Sequence, residues 1–328
     1  MTAVPGVDWQ VATDTGRFLV PPGIDLPRTE AAALVADLRH CAGRAVDAVA
    51  QASELDQRAH AEVLIVGRDA WLQATCAMSA SMLAATGQQP PVSLGERVGA
   101  RLAGVQLGAA FAFVATRILG QFDPYSTAGR LLLVAPNISA AERAMGLEPH
   151  GFRQWVCLHE QTHAAQFGAA PWLAAHLLEL MRAMFDEDED EDEDDAPPRP
   201  REAGTLLMSG AHQSTFDRIT AVMSLLEGHA DVIMDRAATG LVPQVALLRA
   251  AMEARRDASG LVQVIARLLG LRAKREQYLR GATFCREVIA RAGVPTLNQA
   301  FTAPEALPSL TELHDPGQWL RRVPQRVG

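Results

Sequence analysis

Residues 159–163 read His-Glu-Gln-Thr-His, and no other segment restricts the fold as much. On a helix, His159 and His163 stand one turn apart and project from one face, so both imidazoles can reach a single metal ion. Glu160 lies roughly 100° round the helix from His159. There it sits beside such an ion without binding it, and its carboxylate can hold and deprotonate a water that the metal activates. Phe152, Trp155 and Val156 precede the motif on the same face, which predicts that the ligands continue a core-facing stripe. The chain must therefore bury this helix and deliver a third ligand from elsewhere, because zinc hydrolases use three protein ligands and leave the fourth position to water.

Three kinds of third ligand are available: Glu227, another histidine, or a carboxylate of the acidic run at 186–195. Position 169, where a three-histidine extension of the motif needs its last imidazole, is Ala169. The acidic run is too flexible to fix a ligand. Glu227 fits best, because Asp231 follows it by one helical turn on an otherwise apolar segment (Ile219, Val222, Met223, Leu226, Ala230, Ile233). Two anions buried there would be costly without a cation beside them. Asp231 is placed to accept the second N–H of a ligating histidine, which sets the tautomer and raises ligand basicity. Hydrolysis then needs Glu160 to take a proton from water and return it to the leaving amine. A donor for the tetrahedral oxyanion is also expected; His212, Tyr125, Tyr278 and, less favourably placed, His229 are the candidates.

Composition removes competing chemistries. Lys274 is the only lysine among 30 basic residues, and no G-x-x-x-x-G-K-[ST] or G-x-S-x-G occurs, so a phosphate-binding P-loop and a nucleophile elbow are excluded. The formal charge of −8 comes from ten consecutive carboxylates, Asp186 to Asp195. Without them the chain is close to neutral and carries no basic surplus to hold nucleic acid. Cys41, Cys76, Cys157 and Cys285 lie far apart in apolar stretches and read as buried thiols of a reducing compartment. The first residues form no signal peptide, and the apolar window Leu102–Leu119 is interrupted by Gln106, Thr116 and Arg117, too short a clean run to span a membrane. It is expected to be a central buried helix, with Gly104 and Gly108 allowing close backbone contact. A cytoplasmic location follows, with no membrane and no nucleic acid as partner.

Along the chain, the start is expected to be extended (Pro21, Pro22, Pro27), with a helix capped by Thr29 and running to about Ala52. A short strand at Val63–Val66, a helix from Arg68 towards Gly87 and an apolar helix from Leu94 to Leu119 follow. Gln121–Tyr125 reads as a turn. Arg130–Ala135 is the strongest strand signal, ended by Pro136 and Asn137, with irregular structure up to the motif helix at Pro149–Phe167. Pro171-Trp172 opens a helix that enters the acidic run, and 186–203 is expected to be a disordered loop. Phe216–Met234 is a helix carrying Glu227 and Asp231, and three or four more helices finish the chain. Thr302 and Glu305 have capping-box spacing, and Asp315-Pro316 reads as a helix start. One domain over 1–328 is expected, with an N-terminal helical part (1–120), a metal-site core (121–275) and C-terminal helices (276–328). Cys157 is read as core, and His40, His60, His150, His176 and His314 as surface or capping residues.

Several of these segments resemble the bacterial zincin-like metallopeptidase type 2 family. They are Asp8-Trp9, Arg68-Asp69-Ala70-Trp71, Leu119–Pro124, Arg130–Asn137, Phe152–Phe167, Pro171-Trp172 and Ser224–Asp231. The resemblance implies a mostly helical zincin-like fold with a small β element beside the motif helix. It also implies one zinc per chain on His159, His163 and Glu227, with Glu160 as base. Members of that family are taken for hydrolases, and some are linked by gene context to deazaflavin coenzyme biosynthesis. The ten-residue acidic run departs from the family pattern. The expected function is a zinc metallohydrolase acting on peptide or other amide bonds, and the strand at Leu131–Ala135 is the expected cleft edge for an extended substrate. A helical scaffold with structural zinc, or a small-molecule amide hydrolase of coenzyme metabolism, are the alternatives.

Overall fold

The computed structural model describes residues 6–56, 61–85, 87, 91–126, 129–186, 210–243, 245–259 and 276–323. The architecture is mainly α, with a three-stranded sheet beside the motif helix. The sheet contains β1 (Glu62–Val66), β2 (Gly120–Asp123) and β3 (Arg130–Val134), ordered β1-β3-β2, with β3 parallel to β1 and antiparallel to β2. Leu131 and Leu133 point into the larger core, whereas Leu132 and Val134 point into a smaller one. Burial on both faces explains why β3 reads as an unbroken apolar run.

Two expectations about this sheet are corrected. Gln121–Tyr125 does not form a simple turn: Gly120–Asp123 pairs with β3, and Pro124 ends it. Nor can β3 receive a substrate, since both its edges are already hydrogen-bonded to neighbours.

The smaller core lies between one sheet face and three helices: α1 (Trp9–Leu19), α3 (Arg68–Ala85) and α4 (Leu94–Ala115). The segment expected to be extended therefore begins with α1, whose first turn is capped by Asp8 Oδ1 accepting from Val11 N at 3.1 Å. The prolines at 21, 22 and 27 come after this helix and do not oppose it. Gly104 and Gly108 face α1; a Cβ on Gly104 would come within 2.5 Å of the Asp8 carbonyl oxygen, and one on Gly108 would overlap that of Ala12. The expectation of a central buried α4 fails on its other side. Leu94, Val98 and Leu102 are 80%, 61% and 59% exposed, because α1 and α3 cover one face only. By length and composition α4 is the one helix among the described residues able to cross a membrane, and 33% of its most apolar window is buried.

The larger core joins α2 (Arg28–Ser53), α6 (Pro149–Ala169), α8 (Gly210–Ala238) and α10 (Glu276–Ala292). Helix α2 starts one residue before Thr29 with no side-chain cap, so Thr29 is not its cap. Where irregular structure was expected after Pro136, α5 (Ala135–Met145) starts with that proline in its first turn and stops at Gly146 in the left-handed region. Helix α7 (Leu173–Asp186) follows α6, and α9 is Val245–Ser259. Near the C-terminus the capping box is Ser309 with Glu312. Thr302 instead turns its hydroxyl back to the Gln299 carbonyl. Asp315 caps the helix Pro316–Arg322 as expected. His176, expected at the surface, is 9% exposed against Trp172. Apart from Asp186, the acidic loop expected at 186–203 lies outside the described residues, as do His60 and Lys274.

Candidate metal centre

Helix α6 starts at Glu148, whose carboxylate accepts from the backbone N–H groups of His150 and Gly151, with Pro149 in the first turn. Phe152, Trp155, Val156 and Leu158 then bury the helix against the larger core, which holds the motif in place. His159 and His163 stand one turn apart at 17% and 15% side-chain exposure. Their rings meet edge to face, and their Nε2 atoms are 3.2 Å apart.

Glu227 comes from the middle of α8, 64 positions after His163. Its Oε1 is 3.6 Å from His163 Nε2 and its Oε2 is 3.8 Å from His159 Nε2. Three donor atoms, one from each residue, all lie within 4.8 Å of one another. A tetrahedral zinc with bonds of about 2.0–2.2 Å sets its ligand atoms about 3.3 Å apart. The two imidazoles match that spacing, and the carboxylate presents a different oxygen to each ring a few tenths of an ångström beyond it. Two neutral nitrogens and one anion also suit a divalent cation of borderline softness. At 39% side-chain exposure Glu227 is not the buried anion that the sequence suggested.

Glu160 is 7% exposed and packs against β2. Burial pushes its carboxyl up to about 7; the nearby His163 lowers it and Glu227 raises it further. Gly120 makes this packing possible, since a Cβ there would lie 2.6, 2.7 and 2.8 Å from Glu160 Cγ, Cδ and Oε1.

Behind His163 stand residues that the sequence did not single out. His163 Nδ1 lies 3.0 Å from Gln166 Oε1. Gln166 Nε2 lies 2.8 Å from the Leu226 carbonyl oxygen and 3.0 Å from His229 Nδ1. Gln166 and His229 are both fully buried, and His229 packs edge to face on Phe301. Burial, with a smaller contribution from His163, lowers His229 to about 3, so it is neutral where it meets Gln166 and Phe301. Asp231 is half-buried one turn after Glu227, and its charge bears on Cys285 of α10. Tyr125 is half-buried, and desolvation with the nearby Asp123 charge pushes it up to about 12. The side chains of His212 and Tyr278 fall outside the described residues. A polar residue one turn after a ligand, on its own helix face, was the available signal for Gln166.

A second group, Asp37, Cys41 and His150, also converges. There Asp37 is already shared between His150 Nδ1 at 2.8 Å and Arg153 Nη1 at 2.9 Å, so a guanidinium supplies the positive charge.

Two motif imidazoles, a carboxylate from a second helix and a buried glutamate beside them form a candidate metal centre in a helical frame. Residues 7–320 match the zincin-like metallopeptidase family, and the chain belongs to it. A crystal structure from Chloroflexus aurantiacus, described as a "putative hydrolase with a novel fold", superposes with a TM-score of 0.75 at 27% identity. The match covers 96% of this chain and 98% of that one. No curated protein matches the chain.

Proposed function

We propose that this protein is a zinc-dependent hydrolase of peptide or other amide bonds, with one zinc per chain held by His159, His163 and Glu227. The observation that carries this reading is the convergence of those three donors beside a buried Glu160. A divalent metal bound there would acidify water and polarise a carbonyl. Glu160, held on the β2 side by Gly120, accepts the proton from water and delivers it to the departing amine. Burial raises its proton affinity, which suits both halves of that transfer. His163 is oriented by Gln166.

The scaffold alternative is less favoured, since a structural zinc site normally closes its fourth position with a protein ligand and needs no adjacent base. Among the described residues β2 pairs only with β3. Its free edge therefore replaces β3 as the place where an extended substrate could add. Four buried cysteines, none of them paired, suit a reducing cytoplasm, and neither nucleic acid nor membrane is needed as a partner.

The test is metal content together with a peptide-library digest for wild type, His163→Ala and Glu160→Gln. Wild type should carry about one zinc per chain, lost in His163→Ala and kept in Glu160→Gln, with cleavage abolished in both. Zinc retained by His163→Ala would refute the ligand set. Equal cleavage by wild type and Glu160→Gln would refute the role of Glu160.

A further inference from the structure

We propose that Gln166 is the positioning residue of this centre: one amide sets the tautomer of His163 and ties α6 to α8 at the residue before Glu227. The inference rests on the proposed metal centre for its purpose, but its geometry stands on direct contacts. The backbone carbonyl of Leu226 can only accept a hydrogen bond. The Gln166 atom 2.8 Å from it is therefore the NH2 group. Its second hydrogen points to His229 Nδ1 at 3.0 Å, which must be an acceptor. With both amide hydrogens used, Oε1 is left facing His163 Nδ1 at 3.0 Å. An amide oxygen cannot donate, so His163 carries its proton on Nδ1 and keeps the Nε2 lone pair for the site, where His159 Nε2 stands 3.2 Å away.

The Leu226 carbonyl fixes which way the amide faces, and His229 takes its second hydrogen. His229 is fully buried and held against Phe301, so its Nδ1 lone pair has a set direction. The reversed amide would place an oxygen against the Leu226 carbonyl, and two acceptors at 2.8 Å repel. The chain of constraint runs from the Leu226 carbonyl through Gln166 to His163. Because Leu226 adjoins Glu227 on α8, the same side chain also holds the helix carrying the third donor. A ligand whose second nitrogen is held in this way binds metal more tightly, and loss of such a partner typically costs 10–100-fold in affinity.

The test uses metal-free, 15N-histidine-labelled protein, so that it does not depend on metal binding or activity. Two-bond 15N–1H correlations at a pH where the ring is neutral should show wild-type His163 in the Nδ1–H form. In Gln166→Met, close in shape but without the amide, the ring should move towards the Nε2–H form that free histidine prefers. In His229→Phe, where Leu226 still orients the amide, His163 should keep the Nδ1–H form. Zinc affinity, read by chelator competition, should fall about 10–100-fold in Gln166→Met and less in His229→Phe. Wild-type His163 in the Nε2–H form would overturn the proposal, and so would Gln166→Met retaining both the Nδ1–H form and wild-type zinc affinity. Wild type in the Nδ1–H form but unable to bind zinc would refute the metal centre and leave the assignment of Gln166 standing.

Discussion

Replacing Gly120 with alanine separates the proton-transfer group from the metal ligands. The added Cβ would lie 2.6–2.8 Å from the outer atoms of the Glu160 side chain, where ordinary contact begins at 3.4 Å. Either the carboxylate or the strand must retreat by about 0.6–0.8 Å. The strand resists, because Gly120 is paired with Leu133 of the central strand. Turning the Glu160 side chain off its rotamer costs about 1 kcal/mol, less than breaking a strand pair, so Glu160 moves. The stability loss should be at the low end of the 1–3 kcal/mol usual for overpacking. Cleavage should fall about 100-fold, the scale on which a displacement near 1 Å acts. His159, His163 and Glu227 are not displaced, so zinc content should be unchanged. Metal analysis, thermal denaturation and peptide-library cleavage on Gly120→Ala and wild type check all three expectations. Wild-type cleavage at wild-type stability would refute the reasoning, since Glu160 would then have room that the packing denies it, or no part in the reaction.

Three further expectations concern the frame around the site. In Gly281→Ala, the Cβ would overlap the backbone of Ser224 where α10 crosses α8; backbone cannot swing away, so urea denaturation should show a loss of about 3 kcal/mol or more. Burial by itself raises the Asp37 carboxyl, but hydrogen bonds and charge from His150 and Arg153 outweigh it and hold the group below its ordinary 3.8. The unfolded chain therefore binds the proton more readily, and the stabilisation is full above about pH 5 and lost as pH falls through the lowered folded value. The melting-temperature gap between wild type and Asp37→Asn should accordingly close on going to about pH 2, and a gap that widens on acidification would contradict this. Burial pushes the Cys41 thiol up to about 12 and raises those of Cys76, Cys157 and Cys285 as well. A disulfide reagent at pH 8 should label almost none of the four until the chain is denatured.

What could be read in advance was whatever one helix or one strand contains. The four-residue step from His159 to His163, the Asp315-Pro316 start and the apolar run Leu131–Val134 each carry their meaning within a few residues. The pairing of the motif with Glu227 followed from periodicity and from the shortage of other ligands, and the zincin-like fold from the resemblance to a known family. Several local signals were nonetheless misread, two of them at prolines. The prolines after Leu19 masked α1, and Pro136, taken as a stop, serves as the first turn of α5; proline is tolerated there because its missing N–H has no helical partner in any case.

The sequence by itself determined which side chains could meet a metal, because spacing along a helix fixes the angle between neighbours on it. Only the tertiary structure decided what surrounds them. Whether Gln166 ties α6 to α8 through Leu226, whether β2 or β3 keeps a free edge, and why position 120 must lack a Cβ all depend on how elements lie against each other. Those approaches are set by close packing between segments tens of residues apart, a quantity that no local pattern encodes.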